Sequence, residues 1–280
     1  MIWLLPSAGC SIAIALILKV NEGRAGNRIL LAGANYIVAS VLSLAIAGFR
    51  IGFPGQATIA LGAATGVIFV LGILLLMTGI ARGPLAIPVT VMRLSVAVPI
   101  AASIVFWDEQ PGPLQWTGIG LGIVSILLFG FSLSNTPSHR RGGGYAFLIL
   151  SLFLVMGVGD LMLKVFRELS PDADRLFFTW VLFTTAAACT WLLVWARRVP
   201  FDLRTFGLGL ALGVPNLFST VFMLMALRNV AASTAFPFVN LTVIFGSTLL
   251  ALLIWKERLR APALLALALA GAALVLLPMR

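Results

Sequence analysis

Ten long apolar runs alternate with short polar connections along the 280 residues of the chain. They lie roughly at 2–20, 28–48, 57–80, 85–106, 114–132, 145–166, 175–196, 206–227, 232–254 and 262–278. Each is close to the ~20 residues that a helix needs to cross the hydrocarbon core of a bilayer. None shows period-two alternation, so the runs predict helices and not barrel strands. The expected fold class is an all-α membrane protein with ten transmembrane helices. The first run has no Lys or Arg ahead of it, and a second apolar run follows closely. It therefore reads as the first membrane helix, not as a cleaved signal peptide.

Composition sharpens this picture. The chain is 61% hydrophobic and only 10% charged, where a soluble domain carries about 25% charged residues. The net charge is +10, from 19 Lys and Arg against 9 Asp and Glu. These basic residues are scattered in ones, twos and threes between apolar runs. That is the pattern of loop charges that orient a membrane protein, so the partner is the lipid bilayer and not nucleic acid. Cys10 and Cys189 sit inside apolar runs and predict no disulfide framework. The single histidine, His139, falls in a polar connection. It leaves no histidine as a metal ligand within the membrane, and the missing HExxH, CxxC and GxxxxGK[ST] patterns argue against a zinc protease and an ATP-driven pump.

The most polar connection, Ser134 to Gly144, separates the fifth and sixth runs. We take residues 134–144 as a linker between five-helix halves at 1–133 and 145–280. The halves look like copies. One constant shift places Arg28 on Arg175, Gly62 on Gly209, Gly66 on Gly213, and Arg93-Leu-Ser-Val96 on Asn240-Leu-Thr-Val243. One further residue of shift aligns Trp107-Asp-Glu-Gln110 with Trp255-Lys-Glu-Arg258, and a slightly smaller one pairs Lys19 with Lys164. Because five is odd, the second copy enters the membrane from the opposite face. The halves are then expected to form an inverted repeat with a site near the midplane. That is the architecture of a secondary transporter, working by alternating access.

These residues bear a likeness to a known family. Phe106-Trp-Asp-Glu109 and Ile254-Trp-Lys-Glu-Arg258 each put a Glu at the close of the fourth span of a repeat. With the Gly-rich fifth span from Trp116 to Gly122 and with Asn35-Tyr36, the chain resembles the drug/metabolite transporter superfamily, EamA type. Asp108 before Glu109, and a charge at Arg93 within a span, depart from the common pattern. The resemblance implies a gradient-driven small-metabolite transporter that needs no cofactor, located in the bacterial cytoplasmic (inner) membrane.

Candidate functional residues are the polar groups inside apolar runs. Arg93 lies well inside the fourth run between Pro88 and Pro99. A charge there costs ~2.5–3.5 kcal/mol or more and faces a cavity or a partner. It reads either as a forked donor to an anionic substrate group or as a structural ion pair with Asp160. Asp160 is the one carboxylate deep within a run, with Lys164 at i+4 on the same helix face. It reads as a coupling or substrate carboxylate, or as the neutralising partner of Lys164. Lys19 and Lys164, at matching repeat positions, read as gate residues or as snorkelling interface lysines. Pro215-Asn216, and Pro237 with Asn240, are expected to break their helices beside a cavity. Thr90, Ser95 and Thr242 either line the site or bond back to their own helices. Gly62/Gly66, Gly118/Gly122 and Gly209/Gly213 read as close helix contacts. Trp116, Trp180, Trp191 and Trp195 read as interface anchors.

Gly157-Val-Gly-Asp160 also matches the GxGD element of intramembrane aspartyl proteases. In that family the Phe-Asp element precedes GxGD, whereas Phe201-Asp202 follows it, and Asp202 falls in a polar connection. This enzyme reading, and a scaffold that moves no solute, are the alternatives to transport. A homodimer stays open. Connections after odd-numbered runs hold twice as many Lys and Arg as the even connections and the tail, which puts both termini outside.

Overall fold

The computed structural model describes residues 2–24, 26–48, 55–82, 86–133, 143–170, 174–255 and 261–279. Among these the chain is all-α. The helices are α1 (Leu4–Gly23), α2 (Arg28–Ala47), α3 (Gln56–Arg82), α4 (Ala86–Leu94), α5 (Ala97–Trp107), α6 (Pro113–Leu133), α7 (Gly143–Leu169), α8 (Arg175–Ala196), α9 (Leu203–Ala226), α10 (Ala232–Trp255) and α11 (Ala261–Leu276). Counting 87–107 as one span, nine of these segments among the described residues are long and apolar enough to cross a membrane, and α11 is a shorter apolar helix. His139, Lys256, Glu257 and Arg258, and most of the linker, lie outside the described residues.

The polarity of the surface fits a bilayer as solvent. Large apolar side chains such as Phe131 and Phe147 are exposed, 72% and 73% respectively. Polar side chains such as Asn35, Ser43, Thr65 and Ser125 are buried. With no water in the hydrocarbon, hydroxyls must find partners inside the protein. Ser43 and Thr179 share a hydrogen bond of 2.7 Å between α2 and α8, and Ser125 donates to the Ala266 carbonyl of α11 at 2.7 Å. The chain is a multi-pass integral membrane protein.

Contacts divide the helices into two compact units, residues 1–70 with 162–229 and residues 71–161 with 230–280. This division cuts across the sequence halves, since each unit takes helices from both. In the first unit α2 packs on α8 and α9, and α1 packs on α9. In the second, α6 packs on α11 and α4, and α10 packs on α5 and α11.

Glycines set the closest approaches in the first unit. A Cβ at Gly62 would lie 3.1 Å from the Phe178 carbonyl of α8, and one at Gly66 would lie 2.5 Å from that of Leu182. On α9, a Cβ at Gly209 would lie 2.5 Å from the Leu31 carbonyl of α2, and one at Gly213 would lie 2.6 Å from that of Asn35. The shift that carries Gly62 and Gly66 onto Gly209 and Gly213 also carries Leu31 and Asn35 onto Phe178 and Leu182. The same contact is therefore made twice, with the halves exchanging roles.

Prolines act differently from expectation in two places. Both α9 and α10 run unbroken through Pro215 and Pro237. Each proline removes one backbone donor, a loss that a 24-residue helix packed by its neighbours tolerates. The fourth span does break, between α4 and α5 at Ser95-Val96. Pro99 has no N–H for the Ser95 carbonyl, which accepts from Val98 N at 2.9 Å instead. Pro99 then falls in the first turn of α5, where a missing donor costs little.

Candidate functional site

The break in the fourth span positions Arg93. It lies in the last turn of α4, part-buried, beside the turn at Ser95-Val96. Its Nη1 donates to Asn240 Oδ1 of α10 at 3.2 Å. Guanidinium only donates, so this bond requires the amide oxygen of Asn240 to face it. The Asn240 Nδ2 donates to the Phe236 carbonyl one turn back at 3.3 Å, which holds the amide in that orientation. Arg93 and Asn240 are the two residues that the repeat shift superposes, and here they are bonded to each other.

Asp160 completes the group from α7. It is part-buried and interacts electrostatically with Arg93. The GxGD resemblance has a packing explanation. A Cβ at Gly157 would lie 2.5 Å from Val98 Cβ and 2.8 Å from the Ser95 carbonyl. Glycine there lets α7 seat directly on the broken span, one turn before Asp160. Asp202, the second carboxylate of the protease reading, is exposed and caps α9. Its carboxylate accepts from Thr205 N at 2.8 Å and Arg204 N at 3.4 Å. Hydrogen bonds from Thr205, first from its side chain and then from its backbone, hold this carboxyl below its ordinary pKa, helped by Arg204.

Of the other sequence candidates, several are occupied locally. Ser95 Oγ, in the turn, donates back to the Met92 carbonyl of α4 at 2.7 Å, and Thr242 Oγ1 donates to the Phe238 carbonyl of its own helix α10 at 2.8 Å. Thr90 packs against Gly130 of α6. Lys164 is buried and bonds Glu168 at 2.6 Å along α7, which corrects the expectation that its partner is Asp160. The same i+4 spacing exists in both directions, and the C-terminal carboxylate is the one within bonding distance. Lys19 is part-buried near the end of α1. Asn216 belongs to the first unit, where its Nδ2 donates to Asn35 Oδ1 at 3.1 Å. Trp195 is exposed as an anchor would be, while half-buried Trp191 donates to the Gly33 carbonyl at 3.2 Å.

One functional role was not read from the residues. Glu109 reaches the start of α10, where its Oε1 and Oε2 accept from Ala232 N at 3.0 Å and Ser233 N at 2.9 Å. Asp108 makes this possible. It takes a left-handed conformation at φ 51° as the C-cap of α5, turning the chain toward α10. Short polar residues tolerate that region best. The pairing of an Asp with a Glu right after a long apolar run was the available signal.

Comparison with known proteins identifies the fold more readily than a family. No protein-family profile matches the chain. A solved crystal structure of a protein superposes with a TM-score of 0.78 over 99% of this chain and 98% of that one, at 14% identity. An uncharacterized protein of Haemophilus influenzae is 25% identical over 172 residues, 60% of this chain and 57% of that relative's length. The match therefore spans little more than half of the relative. The chain shares its whole-length fold with a solved structure.

Proposed function

We propose that the chain is a secondary transporter of small polar metabolites, of the EamA type within the drug/metabolite transporter superfamily. It works by alternating access at a midplane site between two inverted five-helix repeats, without ATP, in the bacterial inner membrane. The observation that carries this reading is the Arg93–Asn240 hydrogen bond at a broken span. Two residues at equivalent repeat positions meet directly only where a pseudo-two-fold axis passes between them. Within the first unit, the reciprocal glycine contacts of α3 with α8 and of α9 with α2 support the repeat independently. Broken helices with buried polar groups at the repeat interface are the usual place for a transport site.

The site suits a substrate with one anionic end and one neutral polar end. Arg93 offers a forked cationic donor, Asn240 an amide, and Asp160 a counter-charge when the site is empty. Substrate would displace the Arg93–Asn240 bond and compete with Asp160. The test is a metabolite panel screened for thermal stabilisation of the purified protein, followed by flux of each hit into proteoliposomes. Saturable uptake down a gradient, without nucleotide, is expected. A broad panel giving neither stabilisation nor flux would sink the reading and leave a scaffold.

A further inference from the structure

At one end of the first unit a pocket of about 920 Å³ opens between the α1–α2 and α8–α9 connections. Asn21 and Arg24 line it from the end of α1, Asn27 from the start of α2, and Asp202, Arg204 and Thr205 from the start of α9. These are ends of membrane-spanning helices, so the pocket lies at the depth of the lipid headgroups. Pro200 and Leu208 add apolar wall. Phe201 and Leu203, on either side of Asp202, are 62% and 73% exposed, as side chains facing acyl chains would be.

The pocket carries donors and acceptors in a specific combination. Two helix N-termini meet there, capped by Asn27 and Asp202. Their positive ends add to the exposed guanidinium groups of Arg24 and Arg204, an arrangement suited to a phosphate. Asn21 is a separate sign of a ligand. It is 1% exposed, and its Nδ2 donates to the Gly26 carbonyl at 3.1 Å. That carbonyl can only accept, so the amide orientation follows from the bond. The other atom, Oδ1, is buried with no hydrogen-bond partner among the described residues. A buried acceptor of this kind calls for a donor. Asp202 is a second acceptor in the same wall.

We propose that this pocket is a binding site for the phosphoethanolamine headgroup of a bilayer lipid. Arg24 and Arg204 take the phosphate, and the ammonium points to Asn21 Oδ1 and Asp202. A choline headgroup fits the phosphate but has no N–H to give Asn21. The site is separate from the Arg93 group and does not depend on the transport reading.

The test is native mass spectrometry of the delipidated full chain in detergent, titrated with phosphatidylethanolamine, phosphatidylcholine and phosphatidylglycerol. Phosphatidylethanolamine should be retained about tenfold better than phosphatidylcholine, the difference of one charge-assisted hydrogen bond. Arg24→Gln/Arg204→Gln should lower retention of both lipids, and its melting temperature should be unchanged because both side chains are exposed. Asn21→Leu should abolish the preference between the two. Equal retention of both lipids by the native chain, or unchanged retention by the double arginine variant, would overturn the proposal. A preference for phosphatidylglycerol would overturn the ammonium assignment. Soluble phosphoethanolamine binding as tightly as the lipid would point to a free phosphate ester and overturn the lipid assignment.

Discussion

At the scale of single residues, Arg93 and Glu109 do different work with similar chemistry. Arg93 sits where a charge is expensive, and its hydrogen bond to Asn240 and the field of Asp160 offset part of that cost. Arg93→Lys keeps the charge but loses the planar fork, so substrate binding should weaken while the fold stays intact. Arg93→Ala should weaken it further and lower the melting temperature, because Asp160 is left without a nearby positive charge. The double variant Arg93→Ala/Asp160→Ala separates the two roles. Ligand-induced stabilisation and flux should stay absent while the melting temperature recovers. Recovery of flux as well would make the pair purely structural. Glu109 holds the first turn of α10, so Glu109→Ala should cost about 1 kcal/mol, the usual loss on removing a helix cap. Glu109→Gln keeps an acceptor and should cost less, as thermal denaturation in detergent would show. The Arg93 and Asp160 candidates were legible because any charge deep in an apolar run stands out. The bond between Arg93 and Asn240 was not, since an alignment of repeats says which residues correspond but not which touch.

At the scale of elements, proline and glycine decide the shapes. Three of the spans discussed contain an internal proline, yet only the fourth breaks. Sequence reading treats these prolines alike. The difference is that the Ser95 carbonyl finds another donor in Val98, so the chain restarts a helix with Pro99 in its first turn. In α9 and α10 the helix continues and simply lacks one bond. The glycine pairs are more predictable, because a Gly-x-x-x-Gly spacing puts both on one face. Gly66→Leu and Gly213→Leu should each destabilise by about 1–3 kcal/mol or more, since the added carbons meet a neighbouring backbone carbonyl that cannot move aside. Gly207→Ala is the control in the same helix as Gly213, because nothing lies within 4 Å of its Cβ position. That change should be neutral or slightly stabilising, as helical propensity favours Ala by about 1 kcal/mol. Equal losses at Gly207 and Gly213 would contradict the packing given to α9.

At the scale of the whole molecule, the excess of basic residues in the odd-numbered connections predicts that both termini lie outside. A C-terminal alkaline phosphatase fusion should be active, and a fluorescent protein that matures only in the cytoplasm should stay dark at that position. The opposite pattern would reverse the orientation. The all-α, multi-pass character and the approximate helix bounds followed from the sequence alone, because a hydrocarbon solvent demands one apolar run of set length per crossing. The matched glycine spacings stood out for a related reason, since such pairs are rare enough in apolar runs, and each pair packs closely on a neighbouring helix. The choice of partners was not. Lys164 had carboxylates available on both sides along its helix, and Ser95 and Thr242 had both their own backbones and a cavity within reach. Sequence spacing weighs those options equally. Tertiary packing resolved them, because placing α7 on the broken span at Gly157 brings Asp160 to Arg93 and leaves Lys164 to Glu168. Which residues enter the bilayer is a one-dimensional question about solvent, answered by composition along the chain. Which polar groups face one another inside it depends on how helices distant in sequence are pressed together, and that only the folded chain decides.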